Sequence, residues 1–206
     1  MESSSSKHHS AIFLLTTLIS ISSYTYSSSA ARYPTTSKIN TEFIRTSCLA
    51  TTYPRLCYSS LLSHANSIQA SPQLIASTAL DVTLSSAKTT STMMLNLSLS
   101  HGLKLKEVAA MKDCVEELSD SVDELQRSMG EMSNVAKENR DFKLMINDIQ
   151  TWVSAALTDD TTCTDGFEGN DMSGNLKTIV RSGIVNVAHL TSNALALINK
   201  FALIHG

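Results

Sequence analysis

Apolar residues recur along this chain in steps of three and four, the spacing of a helix that turns one face toward other helices. From Leu105 onward they fall at Leu105, Val108, Met111, Val115, Leu118, Val122, Leu125, Met129, Met132 and Val135. After the polar run Lys137 to Asp141 the spacing resumes at Phe142, Met145, Ile149, Trp152 and Ala156, which predicts a second helix returning antiparallel to the first. Near the C-terminus a further seam runs through Leu176, Val180, Gly183, Val187, Leu190, Ala194, Leu197, Phe201 and Ile204. A glycine inside a helix costs about 1 kcal/mol relative to alanine, so Gly183 marks a place where a backbone or large side chain packs closely. Trp152 is the expected neighbour.

A weaker stripe, Ile75, Ala79, Val82, Met93 and Leu97, follows Ser71-Pro72 and runs to about Ser100. Ser71 can cap a helix, and Pro72 fits its first turn because no N–H is needed there. His101-Gly102 then ends it, glycine accepting the left-handed conformation. Thr164 to Asn175, with Gly166, Gly169 and Gly174, has the composition of a loop. Four helices of roughly 20 to 30 residues each predict an all-α fold, an up-down-up-down four-helix bundle over 71–206. Met93, Met111, Met129, Met132 and Met145 serve as core filling in that arrangement rather than lining a cofactor pocket.

Ahead of the bundle, Glu42 to Ser63 is dense in Phe, Ile, Leu and Tyr and predicts a short helical hairpin, 42–63, preceded by a flexible lead-in from Arg32 to Thr41. Residues 1–31 have the layout of a secretory signal: a polar start with Lys7, an apolar run from Ala11 to Ile19, then small residues up to Ala30 and Ala31. Removal would leave 42–206 as the folded domain. No later apolar run reaches transmembrane length, so the expectation is a soluble, secreted, extracellular protein with no membrane attachment.

Aromatic residues are 5% of the chain, charged residues 17%, and there are only 7 Gly and 3 Pro, which speaks against the many tight turns of an all-β domain. The formal net charge of −3 is no footprint of nucleic-acid binding, and loss of Glu2 and Lys7 with the leader would not change it. Four cysteines in an oxidising route imply two disulfides. Of the three possible pairings, Cys48 with Cys57 is favoured by the short separation and by Tyr53-Pro54 between them, leaving Cys114 to pair with Cys163 just beyond the second hairpin helix. No Cys-x-x-Cys occurs and no second histidine stands at ligand spacing from His64, so a zinc site is not expected. Asn96-Leu97-Ser98 is a glycosylation sequon.

The chemistry of catalysis is missing from the motifs. There is no Gly-x-Ser-x-Gly elbow, no phosphate-cradling glycine loop and no His-Glu-x-x-His helix, so neither an enzyme nor a cofactor is expected. Asp113, Glu116, Glu117, Asp120, Asp123 and Glu124 lie away from the Val115, Leu118, Val122 seam. They form either a solvated face or a docking surface for a basic partner.

Glu42-Phe43-Ile44, the run Cys48 to Cys57, Val108-Ala-Ala-Met-Lys-Asp113-Cys114 and the block Trp152 to Phe167 together resemble the plant invertase and pectin methylesterase inhibitor family. The resemblance spans Thr41 to the C-terminus. It implies a disulfide-stapled four-helix bundle with an N-terminal hairpin, secreted to the apoplast or cell wall and acting as a proteinaceous inhibitor without catalysis or cofactor. Members that inhibit invertase carry Pro-Lys-Phe in the turn between the second and third bundle helices. This chain has Asn139-Arg140-Asp141-Phe142 there, and Ile149-Gln150-Thr151-Trp152 beyond, which resembles the pectin methylesterase branch. The expected partner is therefore a pectin methylesterase, with invertase as the alternative, and the chain's end at Gly206 implies a free-standing inhibitor. The candidate contact residues are Glu116, Asp120, Asp123, Gln150, Ser154 and Thr162.

Overall fold

The computed structural model describes residues 36–135, 141–168 and 174–205, and every regular element within them is helical. Helices α1 (Thr36–Cys48) and α2 (Pro54–Leu61) fold back on each other and are joined by the Cys48–Cys57 disulfide, with Cα atoms 5.6 Å apart. The stretch expected as a flexible lead-in, Arg32 to Thr41, is already helical from Thr36, and Asn40 turns inward one turn before the fully buried Ile44. Its polar composition hides this, because only packing against the bundle gives the helix a buried side.

A 3₁₀ turn (Leu62–His64) and the single-turn α3 (Ala65–Ile68) lead to the bundle. Gln69 and Ala70 then take left-handed backbone angles, φ 49° and 55°, and the Ser71 N–H donates to the Ile68 carbonyl at 2.9 Å. This reversal aims α4 (Pro72–Ser98) down the bundle, with Ser71 Oγ accepting the Leu74 N–H at 3.3 Å as the expected cap. Gly102, at φ +87°, sits in the turn to α5 (Leu105–Asn134). Asp141 caps α6 (Phe142–Asp165) by accepting the Lys143 N–H at 2.9 Å, and α7 (Gly174–His205) completes the ring, packed against α4 and α6.

The bundle is the expected up-down-up-down arrangement, and the second disulfide joins Cys114 of α5 to Cys163 of α6. Cys163 lies within α6 rather than beyond it. The threonine-rich stretch is helical all the same, its hydroxyls finding acceptors in carbonyls one turn back, Thr158 to Ser154 at 3.1 Å, Thr162 to Thr158 at 2.9 Å and Thr164 to Asp160 at 3.0 Å. The reading that no later run reaches transmembrane length overlooks α7, whose most apolar window is long and hydrophobic enough (mean hydropathy 1.3). In the fold half of that window is buried against the other helices, which accounts for its hydrophobicity without a membrane.

The inner line of α5 differs from the expected seam. It runs through Glu107, Met111, Cys114, Leu118, Ser121, Leu125, Ser128 and Met132, while Leu105 is 91% exposed and Val108 47%. Val115, Val122 and Met129 flank this line, half-buried against the core. Gly183 does mark a close approach, but the neighbour is α4 and not Trp152. A Cβ built there would come within 2.8 Å of Met93 Cε and 3.4 Å of Thr90 Cγ2.

The buried apolar residues form two clusters. The larger unites Ile44, Cys48, Cys57 and Leu61 of the hairpin and Ile68 of α3 with Leu80, Leu125, Ile149, Val153, Leu197 and Phe201, so the hairpin belongs to the main core. The smaller surrounds the second disulfide with Met94, Met111, Leu118, Phe167, Val180 and Ile184. Along α5 and α6 the two are separated by polar residues, Ser121 between Leu118 and Leu125, and Asp160 between Ala156 and Cys163, all fully or nearly fully buried.

Candidate protein-interaction surface

Two residues on from each inner position, an α-helix has turned by about 200°, which carries a side chain to the outer face. Glu116, Asp120 and Asp123 stand in this relation to Cys114, Leu118 and Ser121, and all three are exposed. The edge of α5 nearer α6 carries Glu117, Asp120 and Glu124. Across from it lies Asp159 of α6, whose carboxyl pKa is pushed up to about 6, first by partial burial and then by the charges of Glu117, Asp120 and Glu124. Glu124 has a loose ion-pair partner in the exposed Arg127, Nη1 to Oε1 3.9 Å, and solvent screening keeps such a pair weak. The face is thus an acidic strip shared by two helices.

The three candidates on α6 do not gather at this strip. Gln150 points to the opposite flank, where its Nε2 donates to Asn199 Oδ1 of α7 at 2.7 Å. Ser154 is exposed nearer that flank, whereas Thr162 is exposed on the side toward α5. Sequence spacing missed Asp159, and it missed Glu117 and Glu124 as a pair aimed at it. A usable signal existed: counting outward from the Cys114–Cys163 bond in antiparallel register sets Leu118 level with Asp159.

Around Gln150 a groove of about 970 Å³ opens between the start of α6 and the end of α7, lined by Phe142, Leu144, Asn147, Asn199 and Leu203 among others. Phe142 is half-buried, as expected of a core residue, and meets Phe201 edge-on with ring centroids 5.6 Å apart. Of the turn used to choose between targets, residues 138–140 lie outside the described residues, as does the leader, 1–31. Asn96 is exposed on α4. At the hairpin end, Asn193 of α7 brackets Tyr53, its Oδ1 accepting the Tyr53 N–H at 3.0 Å and its Nδ2 donating to the Tyr53 carbonyl at 3.1 Å. His189 stacks on the Tyr53 ring at 3.6 Å, and burial there lowers its basicity. Among the described residues no group of three His, Cys, Asp or Glu is placed to hold a metal ion.

What the arrangement offers is a rigid, disulfide-held helical surface with an acidic outer strip, the chemistry of a protein-binding module. The sequence model of the plant invertase/pectin methylesterase inhibitor family matches residues 42–197. The chain belongs to this family. It is 48% identical over 193 residues to pectinesterase inhibitor 11 of Arabidopsis thaliana, covering 93% of this chain and 94% of that one. It is 49% identical over 165 residues to the 21 kDa protein of Daucus carota, covering 80% and 86% respectively. The crystal structure of a mutant form of a pectin methylesterase inhibitor from Arabidopsis superposes with TM-score 0.61 at 22% identity, over 76% of this chain and 95% of that one, and supports the bundle fold. As a member of an inhibitor family the chain is not an enzyme, and the disulfides pair as the spacing anticipated.

Proposed function

We propose that the mature chain is a secreted inhibitor of a plant pectin methylesterase, acting in the apoplast or cell wall by lying across the enzyme's pectin-binding cleft in a protein–protein complex. The observation that carries this reading is the near end-to-end similarity to a protein named pectinesterase inhibitor. The acidic strip supports it: Glu116, Asp120 and Asp123 with Asp159 present negative charge that steers a basic partner. Thr162 extends that face, and Gln150 and Ser154 lie on the α7 side, where they engage the partner only if it wraps around α6. Residues 1–31 act as the cleaved leader, and Asn96, exposed on α4, is available to an N-glycan. Mature protein titrated into a pectin methylesterase at mildly acidic pH should stop methanol release from pectin. Unchanged release together with loss of invertase activity would transfer the proposal to the other target of the family.

A further inference from the structure

Asp160 has no exposed surface, and its two carboxyl oxygens reach different helices. Oδ1 accepts from Ser121 Oγ of α5 at 2.9 Å. Oδ2 lies 2.8 Å from Thr191 Oγ1 of α7, and the same Oγ1 lies 2.9 Å from the carbonyl oxygen of Val187. A threonine hydroxyl holds one hydrogen, and neither a carbonyl nor a carboxylate holds any. With Asp160 ionised, a single hydrogen has to serve two full-strength contacts. With Asp160 protonated the count closes: Oδ2–H donates to Thr191, Thr191 donates to Val187, and Ser121 donates to Oδ1.

The surroundings favour the same form. Asp160 sits at the boundary of the two apolar clusters, with Cys163 on one side and Ala156 on the other. The charge that acts on it is that of a like-charged neighbour, Asp159, which in turn faces Glu117, Asp120 and Glu124 of α5. From α7 Asp160 meets Thr191, while His189 is turned to Tyr53; on α4 the residues level with Thr191 are the buried, uncharged Leu80 and Thr83 and the exposed Asp81.

We propose that Asp160 is the neutral carboxylic acid of the folded bundle, a proton-dependent tie of α5, α6 and α7 that holds in acidic surroundings and fails in neutral to alkaline ones. Burial pushes the carboxyl pKa up to about 7, against the opposing pull of the two hydroxyls. Because this is above the ordinary value of 3.8, the folded state binds the proton more tightly than the unfolded chain. The tie is complete below about pH 4, weakens as pH rises, and is lost once pH passes about 7. Each unit of pH within that window lowers the folding equilibrium constant up to about tenfold. The tie concerns the fold alone and holds whichever enzyme the bundle binds.

Thermal unfolding of the mature protein between pH 4 and 8 tests this, alongside Asp160→Asn and Asp159→Asn. The side-chain amide introduced by Asp160→Asn can donate to Thr191 and accept from Ser121 as the neutral acid does. Wild type and Asp159→Asn should lose stability toward pH 7 and then level off. Asp160→Asn should match wild type near pH 5, exceed it at pH 8, and show a flattened profile. An Asp160→Asn variant as destabilised at pH 5 as at pH 8 would mean that the carboxylate is the native species and would overturn the proposal. Should that variant not fold, ¹³C NMR titration of the wild-type aspartate carboxyls decides. A buried carboxyl titrating near 7 supports the tie, and titration of every aspartate other than Asp159 below about 5 removes it.

Discussion

At one end of the bundle Met94, Met111 and Phe167 surround the Cys114–Cys163 disulfide, whereas at the other the whole N-terminal hairpin is driven in among Leu80, Leu125, Leu197 and Phe201. The first end is closed by a covalent bond and a handful of large, adaptable side chains. The second is closed by apolar area, with Ile44 and Leu61 of the hairpin and Ile68 of α3 acting as a plug. A cross-link therefore stands where the smaller end has no extra segment to cover it. The hairpin's own disulfide, Cys48–Cys57, shapes the plug and does not join it to the bundle.

The comparison breaks most visibly if the covalent tie is removed. Replacing both Cys114 and Cys163 by alanine should cost about 4 kcal/mol in the chain-entropy picture, read by urea unfolding. Amide exchange should quicken around Met111 to Leu118 more than around Leu125 to Met132, and equal loosening would show that the clusters act as one unit. Phe167→Ala, which empties the largest side chain of the smaller cluster, should cost about 3 kcal/mol and leave the hairpin's protection intact.

A smaller effect belongs to the other end. Asn193→Ala strips both partners from the Tyr53 backbone and should cost about 2 kcal/mol, with earlier proteolysis of the hairpin as the readout. The smallest is Gly183→Ala. Its new Cβ meets the flexible end of Met93, and the gain in helix propensity of about 1 kcal/mol offsets the shift, so the midpoint should hardly move.

Much of this was legible in the residues. Ser71-Pro72 announced a helix start that the structure shows capped by Ser71, and cysteine spacing gave both bridges, whereas the cap at Asp141 was not read. The inner line of α5 was not legible, because Glu107, Ser121 and Ser128 are polar yet buried while Val115, Val122 and Met129 border them. A shift of one residue preserves the steps of three and four, so hydrophobicity alone cannot choose between adjacent lines. Ser121 is on the inside because it serves Asp160, a partner on another helix. The outward direction of Glu116, Asp120 and Asp123 followed from spacing, but Asp159 opposite Glu117 and Glu124 depended on the register between two helices. Gln150 fails as a neighbour of that strip for the same reason, its side chain being committed to Asn199.

The grip of Asn193 on Tyr53 joins positions 140 residues apart. The hairpin is made early and can be clipped through Cys48–Cys57 once it reaches an oxidising compartment, yet the side chain that seats it is made almost last. Until α7 is in place, Ile44, Leu61 and Ile68 have no finished socket, whereas α5 and α6, the most extensively packed pair, meet without it. The two ends of the chain therefore complete each other's packing: the hairpin's seat is finished only by a residue of the last helix.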